Sequence, residues 1–211
     1  MSSPEPAVAT RSRENTLERL RAAASEVFAE SGFDGASVEA ICERAGFTRG
    51  AFYSNFSSKD ELFISLASQF AEQQLDQVVR RMREIDRDPV QSRSPAEIVE
   101  YLLDSETNAP GVVLVSEIRT NAMRDDRLAA AYLDWQEALI ARVAEVLESI
   151  PAAYGLRLRL PAADAARLFV QSVESDSVHA VIARLDPDAA HRLVTEHIVT
   201  LAGLVVDADK Q

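Results

Sequence analysis

The sequence predicts an all-α protein, with an N-terminal three-helix helix-turn-helix domain followed by a larger C-terminal helical domain. Three observations predict it. Apolar residues recur at helical spacing along most of the chain, and no stretch alternates convincingly with period two. Glycine is scarce, at 7 of 211 residues, while alanine, leucine, glutamate and arginine abound. The prolines from Pro89 onward fall between the periodic segments rather than inside them.

The elements follow in order. Residues 1–12 are rich in Pro, Ser and Ala and lack periodicity, which predicts a disordered arm ending at Arg11 and Arg13. A first helix is expected over Arg13–Ser31, where Leu17, Leu20, Ala24, Val27 and Phe28 keep the 3.6 period and Gly32 can cap the end. Ser37 then caps a short helix whose apolar face is Ile41, Cys42 and Ala45. Gly46 permits a sharp turn, and Thr48 can cap another short helix. Ser58-Lys59-Asp60-Glu61 reads as a capping box that opens a helix of about seven turns. That helix is too long for the small N-terminal module alone and is expected to couple two domains, placed at residues 13–57 and 58–211. Further helices are expected at Pro95–Asn108, Gly111–Arg124, Asp126–Ile150, Ala162–Leu185 and Asp188–Val206. The last two carry wide apolar stripes that suit a subunit interface.

The stretch Ser37–Lys59 carries the chemistry. In its second helix Arg49 and Tyr53 lie four apart on one face, whereas Phe52 lies off it, available to the core. An arginine, a tyrosine, hydroxyls and Asn55 leading out of a capped short helix suit a DNA groove. The formal net charge of −12 argues the other way until it is divided. Residues 1–60 hold 7 basic and 9 acidic side chains, net −2, and residues 61–211 hold 15 and 25, net −10. The acidity sits in the body, and a near-neutral module binds DNA when its few cations are focused on particular phosphates.

Composition excludes several classes. Cys42 is the single cysteine, so no intrachain disulfide forms, and its place on an apolar helix face predicts a buried small hydrophobe. The start of the chain shows no basic-then-apolar leader. The longest apolar run, near Ile198–Val206, is broken by Thr200 and falls far short of the ~20 residues of a membrane helix, so no membrane partner and a cytoplasmic location are expected. His179, His191 and His197 lie near no nucleophile motif, and the six-residue spacing of the last two puts them on different helix faces. Neither catalysis, a metal site nor a cofactor is expected.

An amphipathic first helix ending in Gly32-Phe33, then Ser37, Ile41, Ala45-Gly46, Thr48, Gly50, Phe52-Tyr53, Phe56, Lys59 and Leu62, resembles in order and spacing the TetR/AcrR family signature. The resemblance covers about Arg13–Phe63. It departs from the pattern at Cys42, where a small apolar residue is usual, and at Ser54-Asn55, which replaces an aromatic-rich dipeptide. It implies a homodimeric transcriptional regulator, usually a repressor, that leaves double-stranded operator DNA when a small molecule enters a C-terminal ligand-binding and dimerisation domain. Carried over by position, Ser37, Thr48, Arg49, Gly50, Tyr53, Ser54, Asn55 and Lys59 would face DNA. Arg49 would read guanine, Asn55 a base or phosphate, and Ser37, Thr48, Tyr53 and Lys59 phosphates. Phe70, Glu117, Tyr132, Trp135, Phe169 and Glu174 lie on body helices that could enclose an effector, and the effector itself is not legible. A ligand-independent regulator, an activator and a helical protein-interaction module are the other readings.

Overall fold

The structure is a computed structural model, and it describes residues 6–85, 97–98, 101–102, 109–154 and 156–208. Helix α1 spans Pro6–Gly35, α2 Val38–Ala45, α3 Arg49–Tyr53 and α4 Lys59–Ile85. Helix α5 spans Ala109–Ala122, α6 Asp126–Tyr154, α7 Ala162–Ile182 and α8 Pro187–Val205. The helix expected at Pro95–Asn108 lies mostly outside the described residues, although 97, 98, 101 and 102 are helical.

Two expectations are corrected. Helix α1 begins at Pro6, inside the segment expected to be an arm. Proline suits a first turn, and the run after it holds no further breaker before Gly32. Three-residue strands β1 (Leu156–Leu158) and β2 (Val206–Ala208) pair antiparallel, with Arg157 opposite Asp207. Strands this short show no alternation to read.

The described residues fall into two compact units, one drawn from Met1–Ser68 and Glu117–Tyr132 and the other from Gln69–Ser116 and Leu133–Gln211. This departs from the boundary expected at residues 57/58. The first turns of α4, the end of α5 and the start of α6 belong with the N-terminal helices.

The core of the first unit follows from the apolar faces of these helices. Leu20, Ile41, Phe52, Leu62, Phe63, Ile118 and Leu128 are its fully buried large side chains. Phe28, Phe33 and Phe63 pack ring on ring, the last two stacked at 4.4 Å between centroids. A buried phenylalanine at such a place typically stabilises by about 3–5 kcal/mol relative to alanine. In the second unit, Ile140, Ala144, Ala162 and Ala166 form one cluster with Leu158 of β1 against it. Ile98 and Leu102 form another with Val78 and Met82 of α4.

Candidate functional site

The helix-turn-helix is assembled by local chemistry. The Ser37 side chain accepts from the Ala40 N–H at 3.1 Å and the Thr48 hydroxyl from the Ala51 N–H at 3.2 Å, so both short helices start on a satisfied cap. Between them Gly46 takes a left-handed φ of 70°, and Phe47 N–H closes back on the Cys42 carbonyl at 2.9 Å. Phe52 is fully buried at the foot of α3, and Phe56 is buried beside it. With the core side fixed, Ser37, Thr48, Arg49, Gly50, Tyr53 and Ser54 are exposed together. Burial holds the Cys42 thiol above its usual range, with Glu39 adding to the effect.

Arg49 is held in place on this surface. Its guanidinium lies 2.6 Å from the Glu39 carboxylate of α2 and over the Tyr53 ring at 5.8 Å. Hydrogen bonding to Tyr53 first, and the Glu39 charge second, push its pKa further up. Three more arginines of this unit are also engaged. Arg44 pairs with Glu26 and Glu30, Arg19 donates to the Ala45 carbonyl at 2.7 Å, and Arg21 donates to Ser65 at 2.8 Å. Any anion approaching this face competes with partners already in place. A Cβ added to Gly50 would meet only the Thr48 hydroxyl, at 3.7 Å, so nothing within the unit requires its bare surface.

Two side chains expected on this face sit differently. Lys59 is only half-exposed, and its ammonium donates to the Phe33 carbonyl at 2.6 Å and the Ala36 carbonyl at 3.0 Å, over the Phe33 ring at 4.1 Å. Here it satisfies carbonyls where α1 ends, so a phosphate would share this ammonium with them. These carbonyls lie at and just past the last turn of α1, where the helix offers no further N–H to meet them; Gly32, with a φ of 68°, kinks that turn. Asn55 spends its amide on the Ala51 carbonyl at 2.8 Å and on Ser54. The capping box also differs in detail. Glu61 N–H donates to Ser58, while the Glu61 carboxylate accepts from the Ser57 N–H and hydroxyl, which lower its pKa.

The second unit contains a cavity of about 350 Å³. Each wall is one helix face at three- and four-residue spacing: Phe70, Gln74 and Val78 from α4, Trp135 and Leu139 from α6, Phe169, Val173 and Ser177 from α7, and His191, Thr195 and Ile198 from α8. Val112 and Val115 of α5 complete it. Gly111 lets α5 approach, since a Cβ there would stand 2.7 Å from the Phe70 ring.

Phe70, Trp135, Phe169 and Glu174 line this cavity, whereas Glu117 and Tyr132 do not. Both of these belong to the first unit. Glu117 accepts the Phe33 N–H at 2.9 Å, and Tyr132 is buried. Thr195 also belongs to the cavity wall, with its hydroxyl oxygen buried and without a hydrogen-bond partner. Among the described residues no group of His, Cys, Asp and Glu could hold a metal ion, and no helix is long and apolar enough to cross a membrane.

Comparison with known proteins follows the same division. Residues 20–66 match the family model described as bacterial regulatory proteins, tetR family. The chain is 29% identical over 130 residues to the HTH-type transcriptional repressor AcnR of Corynebacterium glutamicum, covering 62% of this chain and 61% of that one. It is 30% identical over 120 residues to the HTH-type transcriptional regulator UidR of Escherichia coli K12, covering 54% and 56%. The chain thus spans under two thirds of the length of these curated relatives. A crystal structure of a transcriptional regulator from Rhodococcus sp. RHA1 shares the fold, with a TM-score of 0.65 at 22% identity over 92% of this chain and 98% of that one. The N-terminal match and the fold agree: residues 20–66 match the helix-turn-helix domain of the tetR family of bacterial regulatory proteins, and the whole chain shares its fold with the Rhodococcus regulator.

Proposed function

We propose that this chain is a homodimeric, sequence-specific DNA-binding transcriptional regulator, a repressor released from its operator by a small molecule. The observation that carries the reading is α3 itself. Phe52 is fully buried while Arg49, Gly50, Tyr53 and Ser54 of the same short helix and its cap stand exposed. In this reading Arg49 exchanges Glu39 for guanine, Ser37, Thr48 and Tyr53 meet phosphates, and the bare Gly50 surface admits the duplex. Asn55 and Lys59 act chiefly by holding this face in shape.

A second copy is expected on the last two helices. Leu168, Ile182 and Leu204 are 42%, 76% and 62% exposed, which is costly for a monomer and ordinary for a subunit interface. A dimer would set two recognition helices for half-sites ~34–36 Å apart or a multiple of that. The cavity supports the effector. Helix α4 lines it with Phe70–Val78 and carries Lys59, Leu62 and Phe63 in the first unit, so a ligand that favours one placement of α4 shifts the population of DNA-competent dimers.

A gel shift on the DNA flanking its own coding region, at two salt concentrations, tests the reading. Binding should weaken as salt rises. Arg49→Ala should relax base preference. An absent or salt-insensitive shift favours a protein-interaction module instead.

A further inference from the structure

We infer that Glu39 is an internal competitor for Arg49, a carboxylate that withholds the guanidinium from DNA phosphates and yields it to a guanine edge. The inference deepens the reading of this face as a DNA surface and rests on it.

The pair is set by the fold. Glu39 stands two residues past the Ser37 cap of α2, and Arg49 one residue past the Thr48 cap of α3. Gly46, at a φ of 70°, and the Phe47 N–H on the Cys42 carbonyl fix the turn between the helices. Both side chains therefore leave short, capped helix starts at a set separation. Glu39 Oε1 lies 2.6 Å from Arg49 Nη1, and both side chains are more than half exposed. The guanidinium also lies over the Tyr53 ring, which is itself set edge-on against buried Phe52 at 5.2 Å between centroids.

A phosphate offers Arg49 a negative charge and oxygen acceptors, which Glu39 already supplies. Exchanging one for the other gains little and leaves the Glu39 carboxylate unpaired beside a polyanion. Guanine differs. Its O6 and N7 are uncharged acceptors that take two N–H bonds from one guanidinium, so the contact itself sets no second anion against Glu39. Arg49 then adds to affinity where guanine stands in register and adds little elsewhere. An acidic residue in a first helical turn also stabilises the helix start, but that role alone predicts an effect on folding and none on DNA.

The test measures Kd for the full chain by fluorescence anisotropy on two labelled duplexes across a salt series. One duplex is selected by the parent chain from a random-sequence library, and the other is that sequence shuffled. Glu39→Gln keeps the shape and removes the charge. It should bind the shuffled duplex about fivefold tighter at low salt, in keeping with release of one exposed ion pair. Its salt slope there should steepen by about 0.9, the value of one further phosphate contact. The selected duplex should bind at least as tightly as it does to the parent. Adding Arg49→Ala to Glu39→Gln should abolish both gains on the shuffled duplex. Glu43→Gln removes another exposed carboxylate of α2 and should leave the slope unchanged.

A Glu39→Gln chain with the parent's affinity and slope on the shuffled duplex would overturn the inference and leave the DNA-binding reading in place. So would a gain that survives Arg49→Ala or that Glu43→Gln reproduces, since either marks a general charge effect. Weaker binding of Glu39→Gln to the selected duplex would make Glu39 a support for Arg49 and would also overturn it. Failure of the parent chain to bind any duplex in a salt-dependent way would overturn the DNA-binding reading itself, and the inference with it.

Discussion

Replacing Lys59 with methionine separates a structural ammonium from a DNA contact. Methionine keeps the apolar stem and removes the charge. The lost interactions are two charge-assisted hydrogen bonds, at 2.6 and 3.0 Å, and a cation over the Phe33 ring. Hydrogen bonds to charged groups contribute roughly 1.5–3 kcal/mol each when buried. Lys59 is half-exposed, so water recovers part of that, and about 2 kcal/mol for the pair is the reasonable figure. For a chain of this length each kcal/mol moves Tm by roughly 2–4 °C, so Lys59→Met should melt about 4–8 °C lower. Thermal unfolding followed by circular dichroism, at low and high salt, reads this directly. A Tm within about 1 °C of the parent, with the loss confined to DNA affinity, would refute the structural role and restore Lys59 to a phosphate.

Three further outcomes are expected. Gly50→Ala should leave the protein as stable or raise its stability by up to about 1 kcal/mol, because a helix gains from alanine and the new methyl meets nothing closer than 3.7 Å, yet it should weaken DNA binding in a gel shift. The Glu61 carboxylate is held below its usual range by the Ser57 hydroxyl and N–H, so its contribution is present above the unfolded value near ~4.3 and is lost as pH falls through the lower folded value. Denaturant titrations from about pH 6 to 3 should therefore show the stability gap between the parent and Glu61→Gln narrowing on acidification. Cys42, buried and with its thiol pushed up by desolvation, should react with an aromatic disulfide reagent only at the rate of local unfolding, and fast labelling of the native protein would contradict its burial.

What the sequence disclosed was local. Ser37, Gly46 and Thr48 announce the turn because each acts on backbone groups three or four residues away, and the structure puts each in that role. Phe70, Trp135, Phe169 and Glu174 reach the cavity because helical periodicity places them on inward faces. Glu117 does not line the cavity; its partner, the Phe33 amide, is 84 residues away, and no spacing rule spans that separation. The bonds of Lys59 to the Phe33 and Ala36 carbonyls, 26 and 23 positions earlier, are out of reach of spacing rules in the same way.

The Phe33 peptide, its N–H held by Glu117 of α5 and its C=O by Lys59 of α4, also bears on how the helix-turn-helix head becomes folded. A fragment ending at residue 57 would lack both charges, together with Leu62, Phe63, Ile118 and Leu128 from the buried interior. The head therefore cannot be cut free or transplanted at its helix-turn-helix boundary. Closing its core requires residues that are synthesised only once the chain has passed Leu128, so ribosome-bound nascent chains shorter than this would expose an unfinished apolar face. A hybrid regulator built on this head would have to carry the segment from Glu117 to Tyr132 with it.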